Sequence, residues 1–293
     1  MKLSLRAVQN QAILVFLVVW FGQLISLTGS GLTSFALGVW VYQRTGSVTQ
    51  FALTVFFLAL PRIILSPLAG TLVDKWDRRW ILILSDSGSG LTTLIAAGLL
   101  FTNQLQVWHI YIFVAVGSAF SAFQSPAYTA STTLLVPKAQ FGRVNGLVQI
   151  GGSLASLVSP LLAGYLMVVS GIGSVLLIDV ATFLFAVGTL MLVRFPKPPG
   201  SPKSVEEVDP LWQQALLGWR YITRRRGLLA LLLIYAATSF LGITTEVLLT
   251  PYVLSFGNPE QLGGIVSATG AGLLVGALNP RVWRIEVEIP DAI

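Results

Sequence analysis

The chain has 293 residues, 54% of them hydrophobic and only 10% charged, with a mean hydropathy of +0.79. Soluble domains carry about 25% charged residues, so too little polar surface is present to solvate a globule of this size, and the bilayer is the natural solvent. Cysteine is absent, which excludes disulfides and thiolate metal sites, and the net charge of +6 comes from basic residues set between apolar runs, a pattern of membrane topology rather than of nucleic-acid binding.

A membrane-spanning helix needs about 20 mostly apolar residues. Eight runs qualify, at about 12–40, 48–72, 80–101, 108–132, 143–168, 173–195, 228–254 and 261–280. The first is too long for a secretory h-region and has no clear small-residue cleavage site, so it reads as a span. It carries Gly29, Ser30, Gly31 and Ser34, small residues that let helices approach where hydrophobicity cannot drive association. Its Gln23, like Gln124 and Gln149 further on, sits poorly against lipid and is expected to face a cavity.

Between the second and third runs lies Gly70-Thr71-Leu72-Val73-Asp74-Lys75-Trp76-Asp77-Arg78-Arg79. Gly70 is expected to let two helix ends meet closely. Asp74 supplies a negative charge in a crowded, partly dry junction, while Arg78 and Arg79 balance it and anchor the loop to the inner leaflet. Such a cluster can hold one conformation and release it when the helices part. An ordinary positive-inside loop accounts for the arginines but not for Gly and Asp at this spacing.

The fifth run contains Gly151-Gly152, Ser156, Ser159-Pro160 and Ala163-Gly164. Pro160 removes a backbone donor and bends the helix, and the small residues around it permit close packing. Residues 196–227 form the one long polar connection. Its prolines forbid a helix at first; Asp209 then offers an N-cap, followed by Pro210 and an amphipathic pattern with Trp212, Leu216, Trp219 and Ile222 on one face. If the N-terminus is cytoplasmic, 16 of the 18 Lys and Arg residues fall on the inner side, Arg44 falls outside, and Arg62 lies within a run. Eight spans with both termini inside are therefore expected.

Ionisable groups in hydrocarbon are costly and usually functional. Arg62 is expected to snorkel to the inner headgroups or to pair with Asp86, and Asp86 to cap the loop cluster. Asp179 and Glu246 are candidates for proton coupling; otherwise they hydrogen-bond nearby Thr182, Thr244 and Thr245. His109, beside Trp108, reads as an interfacial residue. No zinc signature, Ser/His/Asp set or phosphate loop occurs, so no enzymatic activity, metal or cofactor is expected.

The 70–79 segment closely resembles the loop signature of the major facilitator superfamily, Gly-x-Leu-x-Asp-Arg-x-Gly-Arg-Arg/Lys, with Lys75 for the first Arg and Asp77 for the second Gly. That second exchange, with Arg44-Thr45-Gly46-Ser47, Pro61-Arg62, Ser66-Pro67 and Phe123-Gln124-Ser125-Pro126-Ala127, resembles the drug:proton antiporter-3 branch, which includes macrolide and enterobactin exporters. The resemblance covers about residues 10–280. Ser159, Pro160 and Gly164 resemble a weakened antiporter signature, Gly-Pro-x-x-Gly-Gly, which implies export.

The resemblance implies an all-α integral membrane fold. It has a complete six-helix half at 1–195, a cytoplasmic central loop with an amphipathic helix at 196–227, and the first two helices of a second half at 228–280. Residues 281–293 form a tail outside the family pattern. Complete relatives have twelve spans in two halves, so a truncated, frameshifted or misread gene product is expected. The implied function is proton-coupled efflux of a small amphipathic compound such as a drug, macrolide or siderophore. The alternative is an inactive remnant or a non-transporting assembly partner. The implied partners are substrate, protons, membrane lipid and a second chain over the open cavity face; the location is the cell membrane.

Overall fold

The computed structural model describes the backbone of residues 2–136, 140–193 and 219–278; within the helices, side chains 2–12, 71, 74, 75, 133–135, 273, 274 and 276–278 are not described. Eight long helices follow the eight apolar runs: α1 (Lys2–Thr45), α2 (Val48–Lys75), α3 (Arg78–Phe101), α4 (Val107–Leu135), α5 (Phe141–Val169), α6 (Ile172–Leu192), α7 (Arg226–Leu254) and α8 (Pro259–Leu278). The described residues contain no strand. Among the described residues, seven helices, α1 to α7, are long and apolar enough to cross a membrane. A short helical stretch at 219–224 precedes α7; the rest of the expected amphipathic helix, and the tail from 281 onward, lie outside the described residues.

Several helices outlast their runs, because local chemistry, not hydropathy, ends them. α1 continues to Thr45, where Gly46 at φ +61° donates its N–H back to the Tyr42 carbonyl at 2.8 Å. Only glycine adopts that conformation without strain. Ser47 then caps α2 by accepting from the Gln50 N–H at 3.3 Å, so the Arg44-Thr45-Gly46-Ser47 segment is a two-sided helix stop. Asp77 caps α3 in the same way, accepting from the Arg79 N–H at 2.9 Å. At the start of α4, the Gln106 N–H donates to His109 Nδ1 at 3.1 Å and the His109 ring lies tilted against Trp108.

Packing runs as a chain of neighbours: α2 on α4, α4 on α3, α3 on α6, α6 on α1, α1 on α5 and α5 on α8. α7 leans only lightly on α2 and α8, and none of its most apolar stretch is buried. The closest approach is between α5 and α8. A Cβ added to Gly263 would collide with the carbonyl oxygen of Pro160, and one added to Gly164 with that of Pro259. Ser159 faces the other way, donating its hydroxyl to the Thr28 carbonyl of α1 at 2.9 Å. The Ser159-Pro160-Gly164 segment thus fits α5 between α1 and α8.

Of the apolar clusters in the core, two lie at opposite ends of the bundle. One apolar cluster gathers Val19, Val73, Ile81, Leu82, Ile83, Ala127, Leu190 and Val193 at one end of the bundle. Another gathers Leu37, Val41, Ala96, Ala97, Ile110 and Leu176 at the opposite end. Between them, on the same helices, the buried residues include a polar group: Gln23, Ser26, Thr33, Asp86, Thr93 and Asp179. A polar belt between two apolar plugs is costly in a bilayer unless its groups are paired or the belt serves a function.

Candidate functional site

The belt borders two adjoining cavities of about 300 Å³ and about 440 Å³. They share Leu27, Arg62, Ser121 and Gln124 as a common wall. The first reaches between α1, α2, α3 and α4 to Asp179 of α6, and Ser34 lies on its wall; the second runs toward α5, where Gln149 lines it. The expected cavity residues Gln23, Gln124 and Gln149 are therefore brought together, with Ser34, Arg62 and Asp86.

Asp86 does not cap the 70–79 loop. Two turns into α3, it points into the bundle, 3% exposed. It accepts from Gln23 Nε2 at 2.7 Å, Gln124 Nε2 at 2.7 Å and Ser26 Oγ at 3.3 Å. Gln124 Nε2 also donates to Gln23 Oε1 at 2.9 Å, which closes a ring over α1, α3 and α4. The expected Arg62–Asp86 pair does not form; Arg62 lines both cavities, while Asp86 accepts from two amides and a hydroxyl. The sequence held the clue to this ring: two glutamines and one aspartate in spans otherwise poor in long polar side chains.

Asp179 is 4% exposed and accepts from Thr93 Oγ1 at 2.9 Å. Its neighbour Thr182 donates instead to the Asp179 backbone carbonyl at 2.8 Å. Glu246 is not part of this site. It lies exposed on α7, outside both cavity linings, and Thr244 and Thr245 hydrogen-bond carbonyls of their own helix rather than its carboxylate.

The loop works differently from its sequence reading. Gly70 brings no helix ends together: a Cβ there would meet nothing within 4 Å among the described residues. The arginines reach carbonyls rather than the leaflet. Arg78 Nη1 donates to the Ala130 carbonyl of α4 at 2.9 Å, and Arg79 donates through Nε to Leu190 at 2.9 Å and through Nη2 to Met191 at 2.7 Å, in the last turn of α6. Cations suit a helix C-terminus, where carbonyls lack partners. The Asp74 side chain is outside the described residues. Arg79→Ala is expected to cost about 1–2 kcal/mol, the loss of two charge-assisted hydrogen bonds at a half-buried site, and Arg79→Lys to recover only part of it, since one ammonium cannot span both carbonyls. Thermal unfolding in detergent checks this; equal unfolding temperatures for wild type and Arg79→Ala would show that the latch is idle.

A multi-pass helical bundle with a polar, charge-bearing cavity held between apolar plugs has the architecture of a membrane transporter. The chain belongs to the Major Facilitator Superfamily, which it matches over residues 19–286. Among curated relatives, it is 29% identical over 272 residues to Macrolide efflux protein A of Streptococcus pyogenes, covering 90% of this chain and 65% of that protein. It is 30% identical over 226 residues to Macrolide efflux protein A of Enterococcus faecalis, covering 75% of this chain and 68% of that one. It is 26% identical over 282 residues to Multidrug efflux pump Tap of Mycobacterium tuberculosis, covering 92% and 66%. The chain thus spans just under two-thirds of the length of the streptococcal relative.

Proposed function

We propose that this chain forms the substrate-binding wall of a proton-coupled efflux transporter for small amphipathic compounds in the cell membrane. The observation that carries the reading is the mid-bundle cavity in which Asp86, Asp179 and Arg62 sit among hydroxyls and amides. The names of the relatives, macrolide and multidrug efflux proteins, support the substrate class. In this reading the N-terminus is cytoplasmic, as the distribution of Lys and Arg favours. Asp179 carries the coupling proton, being a buried carboxylate on the cavity wall. The Gly70, Asp74, Arg78 and Arg79 loop gates the cytoplasmic side by engaging and releasing the ends of α4 and α6. Residues 1–195 act as one half, 196–227 as its cytoplasmic connector and 228–280 as the start of the other. Lipid surrounds α7, and a second chain covers the open cavity face.

The test is efflux of a fluorescent amphipathic cation and of a macrolide from cells expressing the chain. The expected result is export that collapses with an uncoupler and falls at least about tenfold in Asp179→Asn, the scale of one lost transition-specific interaction. Uncoupler-sensitive export that is unchanged in Asp179→Asn would remove Asp179 from coupling, and no export at all would defeat the reading for this chain.

A further inference from the structure

We propose that the arginines at the start of α7 form a binding site for the phosphate headgroup of an anionic phospholipid. Arg220, Arg224, Arg225 and Arg226 fall within seven residues and are all exposed. The helical stretch at 219–224 sets Arg220 and Arg224 one turn apart on one face. The chain then breaks at Arg225, whose extended backbone (φ −109°, ψ 100°) ends that stretch and opens α7. The Arg225 guanidinium lies over the Tyr221 ring, 4.4 Å from its centroid, which fixes its direction. Arg78 and Arg79 spend their N–H groups on the carbonyls of Ala130, Leu190 and Met191. The four guanidiniums at 220–226 have no hydrogen-bond or ion-pair partner among the described residues. No acid occurs between Trp219 and Glu246 to offset their charge.

The surroundings select a lipid as the source of the phosphate. α7 has 29 residues, a length of about 44 Å, against about 40–45 Å for a bilayer with its headgroup regions. None of its most apolar stretch is buried, and Leu231, Ile234 and Phe240 are exposed, as acyl chains require. Its first turn therefore lies at headgroup depth, where the exposed rings of Trp219 and Tyr221 also belong. Val253, near the other end of α7, packs with Val39 of α1, so the arginines sit at the end of the bundle away from Arg44. An arginine fork matches two phosphate oxygens. The opening N–H groups of α7 have no side-chain cap, and Gly227 has nothing within 4 Å, so the phosphate can reach those donors as well. An anionic lipid brings this phosphate without the ammonium of a zwitterionic one, and its acyl chains lie along the apolar flank of α7, which free phosphate leaves bare.

Lipid binding here needs no transport, and transport can fail with the lipid in place. The experiment uses the full purified chain in neutral detergent with phosphatidylglycerol, phosphatidylcholine or inorganic phosphate at constant ionic strength. Thermal unfolding is followed, and lipid retained on the folded chain is counted by mass measurement of the intact complex. Saturable stabilisation and retention are expected with phosphatidylglycerol alone, weakening as salt rises. Each arginine near an anionic surface strengthens binding about fivefold. The triple variant Arg220→Gln/Arg224→Gln/Arg226→Gln should therefore bind phosphatidylglycerol about a hundredfold more weakly, while Arg44→Gln binds as wild type. The three side chains make no hydrogen bond to the described fold, so unfolding without lipid should not change in the triple variant. Equal retention of phosphatidylcholine and phosphatidylglycerol, or undiminished phosphatidylglycerol binding in the triple variant, overturns the proposal. So does inorganic phosphate that stabilises as well as the lipid, which assigns the arginines to a free oxyanion.

Discussion

Asp86→Leu is expected to destabilise the folded chain by about 3–5 kcal/mol, the largest effect of any single side-chain replacement in the belt. The carboxylate is the shared acceptor of Gln23, Gln124 and Ser26. Removing it strands two amide N–H groups between apolar plugs, and each buried donor without a partner costs about 1–3 kcal/mol. The glutamines cannot repair the loss by pairing only with each other, since that bond already exists at 2.9 Å. Asp86→Asn should cost far less, about 1 kcal/mol, because a side-chain carbonyl remains and both glutamine amides can flip. Unfolding temperatures of the three proteins in one detergent decide the matter. If Asp86→Leu melts with the wild type, the ring contributes nothing to the fold.

Gly263→Val should lift α8 from α5. At this position the obstacle is backbone: a Cβ would collide with the Pro160 carbonyl, and no rotamer change can clear it. Overpacking a well-fitted site costs about 1–3 kcal/mol. Here, with α7 offering α8 little support, that cost is comparable to the whole attachment, since helix association in lipid depends on close van der Waals contact. The chain has no native cysteine, which makes the contact easy to read. The Cβ of Leu157 lies 3.2 Å from where a Gly270 Cβ would be, a few tenths of an ångström inside disulfide spacing, so a slight yielding of α8 suffices to form the bond. The double variant Leu157→Cys/Gly270→Cys should cross-link under mild oxidation, and adding Gly263→Val should suppress it. Cross-linking that survives the valine would mean that the two helices stay together by other contacts.

Much of the fold was legible because a bilayer leaves a chain few options. Eight apolar runs of spanning length became eight helices, and Gln23, Gln124 and Gln149, poor partners for lipid, did turn to the cavities. What failed was knowledge of rotation about each helix axis. Asp86 read as a companion of the nearby loop, yet its partners lie 63 and 38 residues away in sequence, and only the packing of α4 on α3 and of α1 on α6 and α4 brings them together. Arg78 and Arg79 read as lipid anchors because their acceptors are backbone carbonyls, which every residue has and no sequence pattern marks. Glu246 resembled Asp179 in sequence as a lone acid inside an apolar run. The difference is that α6 is packed on two sides and α7 on almost none.

The division of the core into two plugs has an electrical consequence. Apolar side chains are a poor dielectric, whereas a belt of amides, hydroxyls and carboxylates beside cavities of about 300 and 440 Å³ polarises more readily. The voltage across the membrane therefore falls mainly over the plugs and little over the belt. An ion that moves between Asp179 and one surface crosses one plug and senses only part of the field. For a full crossing the work is about 2.3 kcal/mol per elementary charge per 100 mV, so a single plug accounts for about half of that. A charge brought to the belt from either side would thus sense only part of the field, with the two plugs acting as capacitors in series.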